Sequence, residues 1–216
     1  MPFLNNVKIK YDLSNFDIRA IDMLLKKLGY YDCYINQIFY IGRLIEIKGL
    51  EFLIKSVKLL VSKYPDMKLL IAGKGSDEYT AKLINLVKEL GLNENINFLS
   101  SISEADKYKF YRQSSLSIFP SYAKEGVLTT MLEATTQYCP VITTNSCGMV
   151  DFLINEEYGL LAIPKDEKSL AEKIDKFLSD QTLREKCANN AFNRAKNDFS
   201  WEENIKKLTK IIDENK

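Results

Sequence analysis

From position 38 onward, six short runs of strand-forming residues alternate with amphipathic segments, and no other feature of the chain restricts its fold as much. The runs predict strands at Ile38–Ile41, Lys68–Ala72, Ile96–Leu99, Leu116–Phe119, Val141–Thr144 and Gly159–Ile163. Most are apolar throughout rather than alternating, as in parallel strands that are buried on both faces. Between them, Leu50–Lys63 places Leu50, Leu53, Val57 and Leu60 on one helical stripe, and Asp77–Leu90 ends at Gly91, a residue suited to capping a helix C-terminus. Strand–helix alternation with short connections predicts an α/β protein with a doubly wound, parallel, six-stranded sheet. Helical patterns over Lys168–Ser179 and Gln181–Lys196 follow the last strand. A third opens at Ser200 with Glu203 three residues on, the spacing of a capping box.

At 216 residues the chain holds one sizeable domain and is too short for two full domains of this kind. Thirty basic residues against twenty-nine acidic ones leave no basic excess, which argues against general nucleic-acid binding. No apolar run approaches membrane-spanning length and no signal-peptide pattern opens the sequence, so a cytoplasmic location is expected. Cys33, Cys139, Cys147 and Cys187 have no metal-ligand spacing and read as reduced thiols. The chain has no histidine, and so lacks the commonest general base and metal ligand.

Ligands on open parallel sheets bind at the carboxyl ends of the strands. Gly42-Arg43, Gly73, Glu125 and Gly148 each follow a predicted strand. Glu125 and Glu133 bracket an uncharged run, Gly126 to Leu132, in which a helix is expected to begin just after Gly126. An eight-residue offset along a helix is roughly 12 Å, about the span of a sugar, two phosphates and a ribose. Free N–H groups at the helix start suit phosphate oxygens, and the flanking carboxylates suit hydroxyls. This geometry suggests a clamp for a nucleotide sugar.

Three ordered blocks carry a family resemblance. They are Gly42-Arg43-Leu44 with Lys48-Gly49; Pro120-Ser121-Tyr122-Ala123-Lys124-Glu125-Gly126 with Leu132-Glu133-Ala134 and Pro140-Val141-Ile142-Thr143; and Cys147-Gly148-Met149-Val150-Asp151 with Tyr158-Gly159-Leu160-Leu161. Together they resemble the C-terminal, donor-binding domain of retaining glycosyltransferases of family four (glycosyl transferases group 1). That resemblance implies one Rossmann-like half of a GT-B fold with C-terminal helices. Residues 1–36 then form a linker from the other half, 37–198 the nucleotide-sugar domain, and 199–216 the closing helix. Asp12-Leu13-Ser14-Asn15-Phe16 is similar to the family's linker, and Phe199-Ser200-Trp201-Glu202 to the start of its last helix.

The resemblance also implies roles. Arg43 and Lys48 stabilise the leaving phosphate, Glu125 faces the donor sugar, and Glu133 binds the ribose. Gly42, Gly126, Val127, Leu128, Thr129 and Gly148 bring backbone to phosphate or sugar, and the base stacks near Gly73 and against Ser101-Ile102. Each residue also has a plainer reading. Arg43 and Lys48 could be a solvated pair near Glu46, Glu125 a helix-start charge, Glu133 a surface helical glutamate, and Gly148 a turn glycine. Gly73-Lys74-Gly75 lacks the third glycine of a dinucleotide fingerprint, so a tight strand-to-helix turn accounts for it. Relatives often carry a glycine at the position of Leu128, and a double glycine then a glutamate where Cys147, Gly148 and Asp151 stand. Tyr108, Phe110, Tyr111 and Trp201 read as packing residues.

The implied donor is a UDP-sugar or GDP-sugar, used without a metal or cofactor, and the implied partner is an acceptor-binding N-terminal domain. Peripheral attachment to the inner face of a membrane would come through that missing half. A binding module that holds a nucleotide diphosphate without chemistry of its own is the competing expectation.

Overall fold

The computed structural model describes residues 34–124, 126–146, 148–154, 156–199 and 201–214. Nearly all of the linker, in which the sequence predicts an extended run at Val7–Tyr11 and a helix at Phe16–Leu28 ended by Gly29, lies outside the described residues, as do Glu125 and Cys147. Six parallel strands form one sheet: β1 (Tyr34–Ile41), β2 (Lys68–Ala72), β3 (Ile96–Leu99), β4 (Ser114–Phe119), β5 (Val141–Thr144) and β6 (Leu160–Ala162). Their order is β3-β2-β1-β4-β5-β6. The chain therefore winds outward from β1 to one edge, returns to place β4 against β1, and winds to the other edge. β1 is in register with β2 at Ile38↔Leu69 and with β4 at Phe39↔Ser117.

Eight α-helices are described: α1 (Leu50–Leu60), α2 (Asp77–Glu89), α3 (Glu104–Gln113), α4 (Thr129–Thr136), α5 (Gly148–Phe152), α6 (Glu167–Ser179), α7 (Gln181–Asp198) and α8 (Trp201–Glu214). The two-residue period of the strands divides the core in two. Ile38, Leu69, Ile71, Leu116, Ile118 and Ile142 join Leu53, Ile54 and Val57 of α1, Leu83 of α2 and Ile174 and Phe177 of α6. On the opposite face Phe39, Leu70, Ala72, Phe119 and Val141 meet Tyr111 of α3, Met131 and Ala134 of α4 and Ala191 of α7. β4 is buried along its whole length, as a continuous run at the middle of a doubly covered sheet should be.

The termini of several helices follow from single side chains. Ser76, Ser103, Asp166 and Asp180 each accept a hydrogen bond from a first-turn N–H of α2, α3, α6 and α7. α4 has no such cap. Leu128 precedes it in an extended conformation (φ −72°, ψ 126°) and offers no side-chain acceptor. This corrects the expectation that the helix starts just after Gly126. Gly126, Val127 and Leu128 supply no capping oxygen, and Val127 and Leu128 pack their side chains against the second core cluster before the helix begins. Gly148, expected in a loop, instead opens the short helix α5.

Candidate functional site

The switch point of the sheet lies between β1 and β4, where crossovers leave in opposite directions, and a crevice is expected beyond their carboxyl ends. A cavity of about 260 Å³ occupies that place. It is lined from the β1 side by Tyr40, Ile41, Gly42, Arg43 and Lys48, and from the β4 side by Phe119, Ser121, Leu128, Thr129 and Thr130. A larger groove of about 600 Å³ runs along α8, but its described lining comes from that one helix and includes both lysines and carboxylates. The cavity at the switch point is walled from two sides and contains two cationic side chains without a carboxylate among its lining residues.

Local folding explains how Arg43 and Lys48 come together. After β1, Leu44 forms a bridge to Gly75, its N–H donating to Lys74 O at 2.8 Å. The chain then makes a single 3-10 turn, Glu46–Lys48, that Gly49 ends in the left-handed region (φ 72°). That turn is fixed to the loop after β4 by two hydrogen bonds to Ile47 O, one from Tyr122 N at 3.0 Å and one from Ser121 Oγ at 3.0 Å. Ser121 is buried and its carbonyl accepts from Thr144 Oγ1 and, at 3.1 Å, from Ser146 Oγ. Tyr40 Oη donates to Arg43 O at 3.0 Å and holds the backbone of the first turn. Arg43 is exposed and Lys48 half-buried.

On the opposite wall, α4 presents its first turn to the cavity. Met131 N and Leu132 N donate back to Leu128 O, at 3.0 and 3.1 Å. The N–H groups of Thr129 and Thr130 have no hydrogen bond within the described residues. Two unpaired amides at the positive end of a helix dipole, opposite two cationic side chains, form a surface for an anion with several oxygens.

The other expected site residues lie elsewhere. Glu133 does not line the cavity; it stands one turn further along α4 than Thr129, where Lys107 Nζ reaches its Oε1 at 2.9 Å. Its second oxygen, Oε2, is buried with no hydrogen-bond partner in the described protein. Burial pulls the Lys107 pKa down, but the hydrogen bond and charge of Glu133 more than offset it, so the ammonium stands above its ordinary value. With α4 starting at Thr129, only about 6 Å of helix separates Thr129 from Glu133, and Glu125, the other end of the expected span of roughly 12 Å, lies outside the described residues.

Gly73 (φ 137°) packs against the β1 loop so closely that a Cβ would lie 1.9 Å from Gly42 O. Its N–H donates to Leu99 O and Ser100 O, at 3.2 and 3.3 Å. Contact between two backbone loops explains that glycine. Ser101 is exposed, Ile102 packs on the second core cluster, Gly126 is exposed with open space around it, and Gly148 begins α5. None of these lines the cavity. Among the aromatics, Tyr111 is fully buried and Tyr108 and Phe110 pack beside it, as expected.

Sequence reasoning did not single out Tyr40, Phe119 or Lys107. Tyr40 and Phe119 are ordinary strand residues by pattern, and Lys107 lies 26 positions from the carboxylate it meets. Among the described residues, no three acidic or cysteine side chains gather as a metal-holding group, and no helix is long and apolar enough to cross a membrane.

A model of the family described as glycosyl transferases group 1 matches residues 35–194. The chain belongs to this family. This group 1 chain is 36% identical to the capsular polysaccharide biosynthesis glycosyltransferase CapM of Staphylococcus aureus over 168 residues that cover 76% of the chain and 43% of CapM. D-inositol 3-phosphate glycosyltransferase of Corynebacterium urealyticum is 30% identical over 177 residues, covering 80% of the chain and 41% of that enzyme. The chain thus spans less than half the length of these curated relatives. In three dimensions it is similar to the C-terminal domain of the group 1 glycosyl transferase LpcC of Francisella tularensis, with a TM-score of 0.70, 24% identity, and coverage of 83% of this chain and 93% of that one. It also matches Anabaena HepE, solved in complex with UDP and glucose, with a TM-score of 0.77, 21% identity, and coverage of 89% of this chain and 52% of that one. The doubly wound sheet of this family member is the fold of a GT-B C-terminal domain.

Proposed function

We propose that this chain is the donor half of a retaining glycosyltransferase that moves a hexose from a nucleotide diphosphate sugar to a glycan or lipid-linked acceptor. The observation that carries the reading is the convergence of Arg43, Lys48 and the uncapped first turn of α4 on one cavity at the switch point. Breaking the sugar–phosphate bond builds negative charge on the departing diphosphate. Fixed cations and oriented amides there stabilise the transition state more than the ground state. The forked guanidinium can grip two oxygens, while the ammonium acts as a point charge.

In this reading Glu133 accepts from the ribose and Glu125 faces the sugar. The acceptor hydroxyl attacks from the face that the diphosphate leaves, and a phosphate oxygen takes its proton. The absence of histidine suits a reaction whose base is the leaving group. Charge neutralisation by Arg43, Lys48 and helix amides makes a resident metal unnecessary, so a chelator leaves nucleotide binding unchanged. A cavity of about 260 Å³ is a little below the ~300–1,000 Å³ of whole-ligand sites, which suits the diphosphate, with sugar and nucleoside extending past its rim. The similarity to CapM supports polysaccharide assembly as the setting; a cytoplasmic location at the inner membrane face is part of the same proposal.

Calorimetry with UDP, and with GDP beside it, tests the shared step. Binding is expected to weaken about tenfold in Arg43→Ala and in Lys48→Ala, since a charge-assisted hydrogen bond contributes about 1.5–3 kcal/mol and Arg43 is exposed. No heat with either nucleotide, or unchanged binding by Arg43→Ala, overturns the reading. The alternative is a module that binds a nucleotide diphosphate through the same cations and does no chemistry alone. Sugar transfer on mixing with an acceptor-binding partner domain separates the enzyme from the module.

A further inference from the structure

Glu133 is held in an unusual way for a helical glutamate. Lys107 comes from α3, and its ammonium, with a side chain only 16% exposed, takes Oε1 at 2.9 Å. Oε2 is buried and receives nothing from the described protein. An ionised carboxylate only accepts hydrogen bonds, and a buried acceptor without a donor costs free energy until a donor arrives.

The pair is set in a stiff frame. Tyr111 Oη donates to Thr130 O at 2.9 Å and Arg112 Nη1 to Gln137 Oε1 at 2.9 Å, so with Lys107 three side chains of α3 lock onto α4 and the residue that follows it. The other neighbours of Lys107 compete weakly. Glu104 is 3.9 Å away on a side chain 74% exposed, and the Tyr108 ring is 5.0 Å from the ammonium. Glu133 stands one turn beyond Thr129, on the same side of a helix whose first turn walls the cavity.

We propose that Lys107 is a positioning residue that sets ribose recognition: by binding Oε1 it holds Glu133 in place, with 24% of that side chain left exposed to accept from a sugar hydroxyl of the bound nucleotide. The inference rests on the donor-binding reading above. The ligand group that meets the exposed part of Glu133 must be an uncharged donor, because a phosphate would be repelled by the carboxylate. That fixes the direction of the nucleotide, with phosphates toward Arg43 and Lys48 and ribose toward Glu133. Without Lys107 the carboxylate is free to turn toward water and the hydroxyl contact goes with it.

The test uses the full chain, calorimetry, and two probes: UDP and its 2′,3′-dideoxy analogue. The wild type is expected to prefer UDP by about tenfold, the scale of one charge-assisted hydrogen bond. In Lys107→Met the preference should fall to about twofold or less while affinity for the dideoxy analogue is kept. Glu133→Gln should lose the same preference, the double variant should lose nothing further, and Lys107→Arg should restore most of it. A purely structural lysine would weaken both probes alike and leave their ratio intact, and that result overturns the proposal. An equal affinity of the wild type for both probes overturns it as well, whereas no binding of UDP at all removes the donor-binding reading first. Should Lys107→Met fail to give a folded circular dichroism spectrum, Lys107→Gln is judged by the same ratio.

Discussion

Gly49 links the turn that carries Lys48 to α1, and replacing it with alanine should destabilise this domain by more than a methyl added at an open turn. Two costs combine. The residue has φ 72°, and a side chain in the left-handed region costs about 1–2 kcal/mol. The new Cβ would also lie 2.1 Å from Pro120 O, where ordinary contacts begin at 3.4 Å. The atom it strikes is backbone, so the loop after β4 must shift by more than an ångström. Strain of that kind in a packed region is worth about 1–3 kcal/mol. The sum is about 3 kcal/mol, or about 6–12 °C of melting temperature at two to four degrees per kcal/mol for a domain of this size.

Gly91→Ala supplies the control. Gly91 has φ 67° with nothing within 4 Å of the added carbon, so it keeps only the conformational cost, about 1–2 kcal/mol. Urea unfolding followed by circular dichroism measures both. Because Gly49 and Pro120 adjoin Lys48 and Ser121 in the cavity wall, nucleotide affinity should fall in Gly49→Ala alone. If Gly49→Ala loses no more stability than Gly91→Ala, the close approach of the two loops is refuted.

Two further outcomes follow from ionisable groups. The Asp175 carboxyl is held below its ordinary value by hydrogen bonds from Lys63 and Tyr64, which stabilise the folded state above about pH 4 and fade as the pH falls through the lowered pKa. Asp175→Asn should therefore show a smaller loss of stability between pH 5 and pH 2 than the wild type in acid titrations of urea midpoints; equal slopes would show that the pair contributes nothing. Burial pushes the Cys187 thiol up to about 11, so at pH 8 its peptide should stay unmodified by iodoacetamide in the native protein and react in urea, as read by mass spectrometry. Rapid native labelling would contradict its burial.

What was legible in the sequence follows from how strongly each element advertises itself. β2, β3 and β5 appear at their predicted limits because an apolar run flanked by polar turns leaves little freedom in register. α3 escaped notice because only Tyr111 of its ten residues is fully buried, so it has almost no apolar stripe; its start is set by the Ser103 cap. The start of α4 is not legible because Val127 and Leu128 look like the first apolar residues of a helix, yet nothing caps one there. Arg43 and Lys48 could be matched to a motif, and their meeting depends on a short turn. Lys107 and Tyr40 could not, since the first acts across 26 positions and the second through a hydroxyl at the end of a strand. Gly73 was legible as a required glycine, but its reason, the carbonyl of Gly42, is visible only in three dimensions.

The neighbouring of β1 and β4 has a consequence for how the molecule comes to be. Gln37 Nε2 donates to Ser114 Oγ at 3.1 Å across 77 positions, in a buried place, and the whole β2-to-α3 excursion intervenes. A nascent polypeptide that has emerged only as far as Gln113 already carries both cations but has no opposing wall to make a cleft. Affinity for an anion thus waits on a step that closes a long loop. Cellular nucleotide, by capturing that arrangement, would act as a ratchet on the maturation of the chain.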